Sequence, residues 1–252
     1  MIVPAEKFDL SHVDGASSRA WFVGTHAVNW VVLQDESGLT LIDGGYPGQA
    51  DLVVESISRI GARPEDIRGA LLTHAHVDHI GGVAKLVQRY GFPVFVDPAE
   101  VGHAHRDHLQ QASPLDIASV AYRPRVWRWL AEVTPLGVLS RKGIDSAEAF
   151  PERLDLPGSP VPVASHGHTD GHSAYLVADG AALVSGDALV SDHPISGIHG
   201  CQCIPDVFQH DVAAARRSVE AFTELNATVL FPGHGPRVDG SVADMAREAL
   251  SR

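Results

Sequence analysis

Short apolar runs separated by turn residues open the chain: Ala20-Trp21-Phe22-Val23, Val28 to Leu33, and Leu39-Thr40-Leu41-Ile42, with Asp35-Glu36-Ser37-Gly38 between the last two. Runs of this length, bounded by turn chemistry, predict an antiparallel strand meander. It ends at Asp43-Gly44-Gly45, a carboxylate at a strand end followed by flexible backbone. From Gln49 to Ile60 the period changes: Leu52, Val53, Ile57 and Ile60 fall at helical spacing, and Gly61 closes the helix. A strand is then predicted over Ile67 to Thr73, a helix over Gly82 to Tyr90 and a strand over Pro93 to Val96.

Between about Pro98 and Leu156 the rhythm breaks. Leu115, Val120, Val126, Leu130 and Val133 stand at loosely helical spacing, and two of the four tryptophans, Trp127 and Trp129, fall here. The stretch reads as ordinary core helices or as an inserted helical lid whose aromatic face meets substrate. Strands resume at Val161 to Ala164. Ala174 to Ala178 and Ala181 to Ser185 read as a hairpin across Asp179-Gly180, Asp211 to Leu225 as a helix, Ala227 to Phe231 as a strand and Val242 to Leu250 as a terminal helix. The pattern suggests two sheets packed together with helices outside, in a single domain over 1–252 with the helical segment inserted at about 98–156.

At 252 residues the chain can bury a proper core, and 44% hydrophobic with 20% charged residues is ordinary for a globular protein. The formal charge of −12, from 31 acidic and 19 basic residues, argues against nucleic acid as a partner. Cys201 and Cys203 are the only cysteines, so no disulfide framework is expected. MIVPAEKFDL lacks the regions of a secretory leader, and no apolar run approaches a membrane span. The expectation is a cytoplasmic protein with no membrane or nucleic-acid partner, acting on a small molecule, with a homodimer left open.

Fifteen histidines is a high count for this length, and their placement matters more than their number. Leu71 to Gly82, LLTHAHVDHIGG, packs His74, His76, Asp78 and His79 between an apolar strand and a glycine pair. Residues two apart on a strand end share a side, so His74 and His76 can reach one cation. A turn into helix near Ile80 leaves Asp78 and His79 facing a second position. The same residue types recur beside glycines at His168, Asp187 and His234. Two cations sharing one bridging carboxylate would use all seven, and zinc favours such mixed nitrogen and oxygen ligands.

This set resembles the metallo-β-lactamase-fold hydrolases, whose signature is HxHxDH followed by distant His, Asp and His. The match spans nearly the whole chain in the same order. The resemblance implies an α/β fold, a four-layer αββα sandwich of two mixed sheets flanked by helices, with the metals at the edge of the sheets. It implies that His74, His76 and His168 hold one divalent ion, that Asp78, His79 and His234 hold a second, and that Asp187 bridges them. Zinc is the first choice, iron or manganese the alternatives. His172 is the runner-up to His168. Asp43 matches a supporting position that does not bind metal directly. The family usually has proline where Asp170 stands. The implied chemistry is a water held between two cations, its pKa lowered toward about 7, attacking an ester, lactone, thioester or amide, with Asp78 orienting it and moving its proton.

Departures narrow the branch. Dedicated zinc β-lactamases generally lack the bridging aspartate, glyoxalase II-like thioesterases carry a longer C-terminal region, and lactonases typically place a tyrosine where Val190 stands. Nucleases of the family use large insertions or basic arms. A mononuclear-iron persulfide dioxygenase on the same scaffold is the alternative from another enzyme class. His103-Ala104-His105-Arg106-Asp107-His108 repeats the HxHxDH spelling without a strand before it or glycines after it. It reads as an exposed or lid helix without metal. Trp127, Trp129, His193 and His199 are the candidate substrate contacts, while His12, His26 and His210 read as ordinary histidines.

Overall fold

A computed structural model describes residues 8–151 and 153–252; residues 1–7, most of the segment inspected for a leader, lie outside them. The first sheet is β1 (Asp9–Asp14), β2 (Arg19–Gly24), β3 (Trp30–Asp35), β4 (Gly38–Ile42), β5 (Ile67–Leu71), β6 (Val94–Val96) and β7 (Ala147–Ala149), in that order. It is antiparallel from β1 to β4 and parallel from β4 to β7. The second sheet holds β8 (Val161–Ala164), β9 (Ser173–Val177), β10 (Ala182–Gly186), β11 (Val229–Pro232) and β12 (Val238–Asp239), with β10 and β11 parallel and the other neighbours antiparallel.

Alternation along the strands builds the layers. Val31 and Leu33 of β3, with Phe22, Ile42 and Leu71, face Tyr175, Val177, Val184 and Phe231 across the sheets; the Phe22 and Phe231 rings stack at 5.1 Å. The other face of the first sheet, Val32, Leu39 and Leu41, is covered by α1 (Ala50–Arg59) and α2 (Val77–Tyr90) through Val53, Ile57, Val83 and Leu86. The segment from 98 to 156 carries α3 (Val101–His105), α4 (Pro114–Val120) and α5 (Pro124–Val133). Leu183 and Leu230 of the second sheet lie under α6 (Val212–Ala221) and α7 (Val242–Leu250). Helix, sheet, sheet, helix is the order. Strands buried on both faces read as continuous apolar runs, as β3 and β4 do.

The structure corrects the sequence-based expectations in several places. Helix α2 starts at Val77, not near Ile80 or Gly82: His76 caps it in extended conformation, and Ile80 N–H already bonds His76 O at 3.0 Å. The glycine pair serves contact instead of initiation. A Cβ on Gly82 would stand 1.9 Å from the carbonyl oxygen of Gly44. In the second sheet Val177 pairs with Ala182, so four residues turn the hairpin where two were expected, with Ala178, Asp179 and Gly180 all at positive φ. Strands β1, β7 and β12 were not anticipated. Strand β7 lies within the segment read as a helical insertion and extends the first sheet beside β6. None of the described helices is long and apolar enough to cross a membrane.

Candidate metal centre

Parallel pairing in both sheets brings the C-terminal ends of β4, β5, β10 and β11 to one edge, where ligands collect in open α/β architectures. Asp43 follows β4, the His74–His79 run follows β5, Asp187 follows β10 and His234 follows β11, while His168 arrives on the turn between β8 and β9. Two groups form: His74, His76, His168 and Asp187 in one, Asp78, His79 and His234 in the other, each with ligand atoms within 4.8 Å of one another. His168 Nε2 lies 3.1 Å from His74 Nε2 and 3.0 Å from His76 Nδ1. Asp187 stands between the groups, with Oδ2 3.5 Å from His168 Nε2 and 3.4 Å from His234 Nε2, and Oδ1 3.3 Å from His79 Nε2.

The outward nitrogen of each ring is fixed. His76 Nε2 donates to Gln110 O at 2.6 Å, His234 Nδ1 to Ala27 O at 2.9 Å, His168 Nδ1 to Gln209 Oε1 at 3.2 Å and His79 Nδ1 to Asp43 Oδ2 at 2.8 Å. These partners are acceptors, so each outward nitrogen carries the hydrogen. His74 is fixed through Thr73. Thr73 Oγ1 gives its hydrogen to Asp43 Oδ2 at 2.7 Å and therefore accepts from His74 Nδ1 at 3.1 Å. All five inward nitrogens are left to meet a cation or a proton. Such outer partners set the tautomer of metal-binding histidines.

Electrostatics divide the groups. Burial holds His74 and His168 well below the ordinary imidazole pKa and His76 at about 4, so three neutral rings aim lone pairs at one another. Burial also opposes charge on His79 and His234, but Asp187 and neighbouring carboxylates outweigh it and raise both, His234 to about 10. Burial would raise Asp78 and Asp187; the facing His79 and His234 hold both below the usual carboxylate range. His79 Nε2 and Asp187 Oδ1 are buried and have no hydrogen-bond partner among the described residues. Converging neutral nitrogens and an unpartnered buried carboxylate oxygen fit divalent cations.

Other side chains fall into place around this set. Asp43, at φ 60°, accepts from Thr73 N as well as from the Thr73 hydroxyl and His79. His172 turns away from the ligand atoms of the first group: its Nδ1 meets Ser165 Oγ at 2.8 Å and its Nε2 accepts from Asp187 N at 3.1 Å. Asp170, where the family usually has proline, takes its rigidity from Gln110, whose Oε1 accepts from Asp170 N at 2.9 Å. The second HxHxDH is exposed only at its end, Asp107 and His108. His103 is fully buried on α3 against Glu100, at 2.8 Å, and His105 Nε2 donates to Ala147 O at 2.8 Å. Helical geometry sends those histidines to different partners.

Two residues were missed in the sequence. Glu100, seen there only as a helix-start signal, is fully buried and accepts from Ala75 N, Thr169 Oγ1 and Gly171 N. Buried Tyr46 faces Asp78, and burial together with Asp78 and Asp187 pushes its phenol well above the ordinary value, so it stays a donor there. A cleft of about 710 Å³ opens beside His234, with Thr25, His26, Arg125, Trp129 and His193 among its walls. The His193 ring is 5.1 Å from that of His234. Trp127 is 62% exposed and is not on the cleft wall, because residues two apart on α5 point about 200° apart. His199 is exposed and borders a separate depression. His26, read as ordinary, stands at the cleft and pairs with Glu132 at 3.2 Å.

The sequence profile of the metallo-beta-lactamase superfamily matches residues 23–234. The chain belongs to that superfamily. Among curated relatives, a probable metallo-hydrolase of Bacillus subtilis, YflN, is 27% identical over 215 residues, covering 79% of this chain and 76% of that one. A hydroxyacylglutathione hydrolase of Shewanella oneidensis is 31% identical over 164 residues, covering 64% of this chain and 48% of its own length. The chain thus spans about half of that relative. The Rm3 metallo-beta-lactamase superposes with a TM-score of 0.65 at 18% identity, over 94% of this chain and 90% of that one. At that identity the likeness establishes the superfamily's fold.

Proposed function

We propose that the protein is a metal-dependent hydrolase that cleaves an ester, lactone, thioester or amide bond in a small, partly apolar substrate. The observation that carries this reading is the fixing of all five imidazoles by outward hydrogen bonds around Asp187, which readies their inward nitrogens for two cations, zinc first among them. In this reading His74, His76 and His168 hold one ion, Asp78, His79 and His234 the other, and Asp187 serves both. Bound divalent ions supply Lewis-acid polarisation of the scissile carbonyl and a water acidic enough to act near neutral pH. Asp78, partly exposed at 15% of its side chain and 3.5 Å from His234 Nε2, would orient such a water and accept its proton. Trp129 and His193 contact the substrate on the cleft wall, and the buried Tyr46 phenol stays protonated near Asp78.

Completion of the second group favours hydrolysis over the one-iron oxygenase, as do the hydrolase names of the curated relatives. The glutathione thioester named for the Shewanella relative puts thioesters first on the test panel. The test pairs metal analysis of the purified protein with a panel of thioesters, esters, lactones and β-lactams. Close to two zinc ions per chain and turnover of one panel class is the expected result. One iron per chain with oxygen consumption would overturn the reading.

A further inference from the structure

Beyond the metal cleft, across the loop from Asp192 to Ile198, lies a second basin of about 850 Å³. Arg125 borders both cavities, so one guanidinium joins them. Arg123 and Arg216 also line the basin. In a chain of net charge −12 this concentration of cations is unexpected. Their hydrogen bonds leave the charges largely uncompensated. Arg125 Nη1 donates to Ser196 O at 3.0 Å, Arg216 Nη2 to Leu250 O at 2.8 Å, and Arg123 Nε to the Tyr122 hydroxyl at 3.1 Å. Arg252, on the same wall, is neutralised by Glu248, and among the described residues Asp206 is the one acidic side chain lining the basin. Ile195, Ile198 and Ile204 give it an apolar floor.

Structural roles explain one donor of each arginine; the remaining donors of each planar fork suit carboxylate or phosphate oxygens. We propose that this basin binds the anionic end of an elongated substrate whose scissile bond lies at the metal centre, with Arg125 at the junction. The idea rests on the hydrolase reading for what happens at the metal end, and on the arginines alone for the charge at the other. Phosphate and carboxylate tails share this chemistry, and two thiol products separate them: coenzyme A carries phosphates, glutathione carboxylates.

The experiment is calorimetric titration of the zinc-loaded protein with coenzyme A and with glutathione at 50 and 200 mM KCl. One of the two should bind, and binding should weaken severalfold at the higher salt, as screened charge contacts do. R123Q/R125Q/R216Q should weaken it by about tenfold or more, while the matching lysine variant, which keeps the charge and loses the planar fork, should fall between the two. Zinc content and Tm of the same samples reveal a folding defect, and the salt series on the unaltered protein then decides alone. Absence of binding by both thiols, salt-independent binding, or a glutamine variant that is folded and binds equally well would each overturn the proposal. Arginine-dependent binding without turnover of any panel substrate would sink the hydrolase reading and leave the basin standing.

Discussion

The Glu100 carboxylate accepts the backbone N–H of Ala75 at 2.7 Å, placing a buried anion directly between the two first ligands of the metal run, His74 and His76. Its other oxygen accepts from Thr169 Oγ1 at 2.7 Å and Gly171 N at 3.1 Å, on the turn that presents His168. One side chain therefore ties together both loops of the first metal group. Replacing Glu100 by glutamine turns an amide N–H₂ toward donors on one loop or the other. We predict a loss of roughly 2–3 kcal/mol in stability, the cost of a buried charged hydrogen-bond set left unsatisfied. Urea unfolding of the metal-free proteins measures it, and a change below the fitting error would refute the clamp.

The same residue gives a pH signature. Burial raises the Glu100 pKa, but the hydrogen bond and charge of His103, with Thr169 and Ala75, bring it from 4.5 down to about 2. A depressed folded-state pKa means stability that is complete above the unfolded value and lost as pH falls. The window runs from about 4.5 to about 2, and the shift corresponds to roughly 3 kcal/mol. Metal-free wild type should lose stability across this window, and Glu100→Gln should lose correspondingly less. Parallel acid titrations of the two proteins would disprove the assignment.

Asp43 holds His79 directly and His74 through Thr73, so a single carboxylate orients one ring in each metal group. Asparagine at this position keeps the shape but offers a donor where His79 Nδ1 and Thr73 Oγ1 both need an acceptor. Asp43→Asn should lower zinc affinity roughly 10- to 100-fold, the usual cost of losing such an outer partner. Competition against a chromophoric chelator reads it, and wild-type affinity would remove Asp43 from the site.

The ligand run is legible in the sequence because the signal is local: a buried strand, alternating histidines and a glycine pair within twelve residues. The two-sheet architecture is legible for a related reason, since strands covered on both faces show as unbroken apolar runs. Glu100 is not legible. Apart from His103 at i+3, its partners are two backbone N–H groups and one hydroxyl 25 to 71 residues away, and such groups carry no residue-type signature. Strand β7 is hidden because Ala-Glu-Ala has no strand pattern of its own and is recruited by its neighbour β6. The repeated HxHxDH shows the reverse failure, where spelling survives and helical geometry disperses the side chains.

Trp127 and Trp129 separate two readings of α5. Trp129 lines the cleft and meets Phe208 edge-on at 5.7 Å, whereas the Trp127 indole donates to Ala121 O on the exposed side. Trp129→Ala should raise KM for substrates with an apolar group by about tenfold, in keeping with the loss of an aromatic contact. Trp127→Ala should leave KM within about twofold, the scale of a surface change. Equal effects across a homologous series of acyl chain lengths would remove Trp129 from the substrate wall.

Metal binding should release protons unequally at the two groups. In the metal-free protein, burial opposes protonation of His79 and His234, but Asp187 and the other carboxylates prevail, so both rings are protonated at pH 7. A cation at Asp78, His79 and His234 must displace those protons. His74, His76 and His168 are held neutral by burial, so a cation there displaces almost none. Protons compete at the second group, its affinity falls as pH is lowered, and the first group is spared until its own imidazoles begin to charge. Titrating zinc in buffers of different ionisation enthalpy should show about two protons released with one equivalent and near none with the other. Between pH 8 and pH 6 the weaker equivalent should be the one lost, and equal proton counts for the two equivalents would contradict this division of charge.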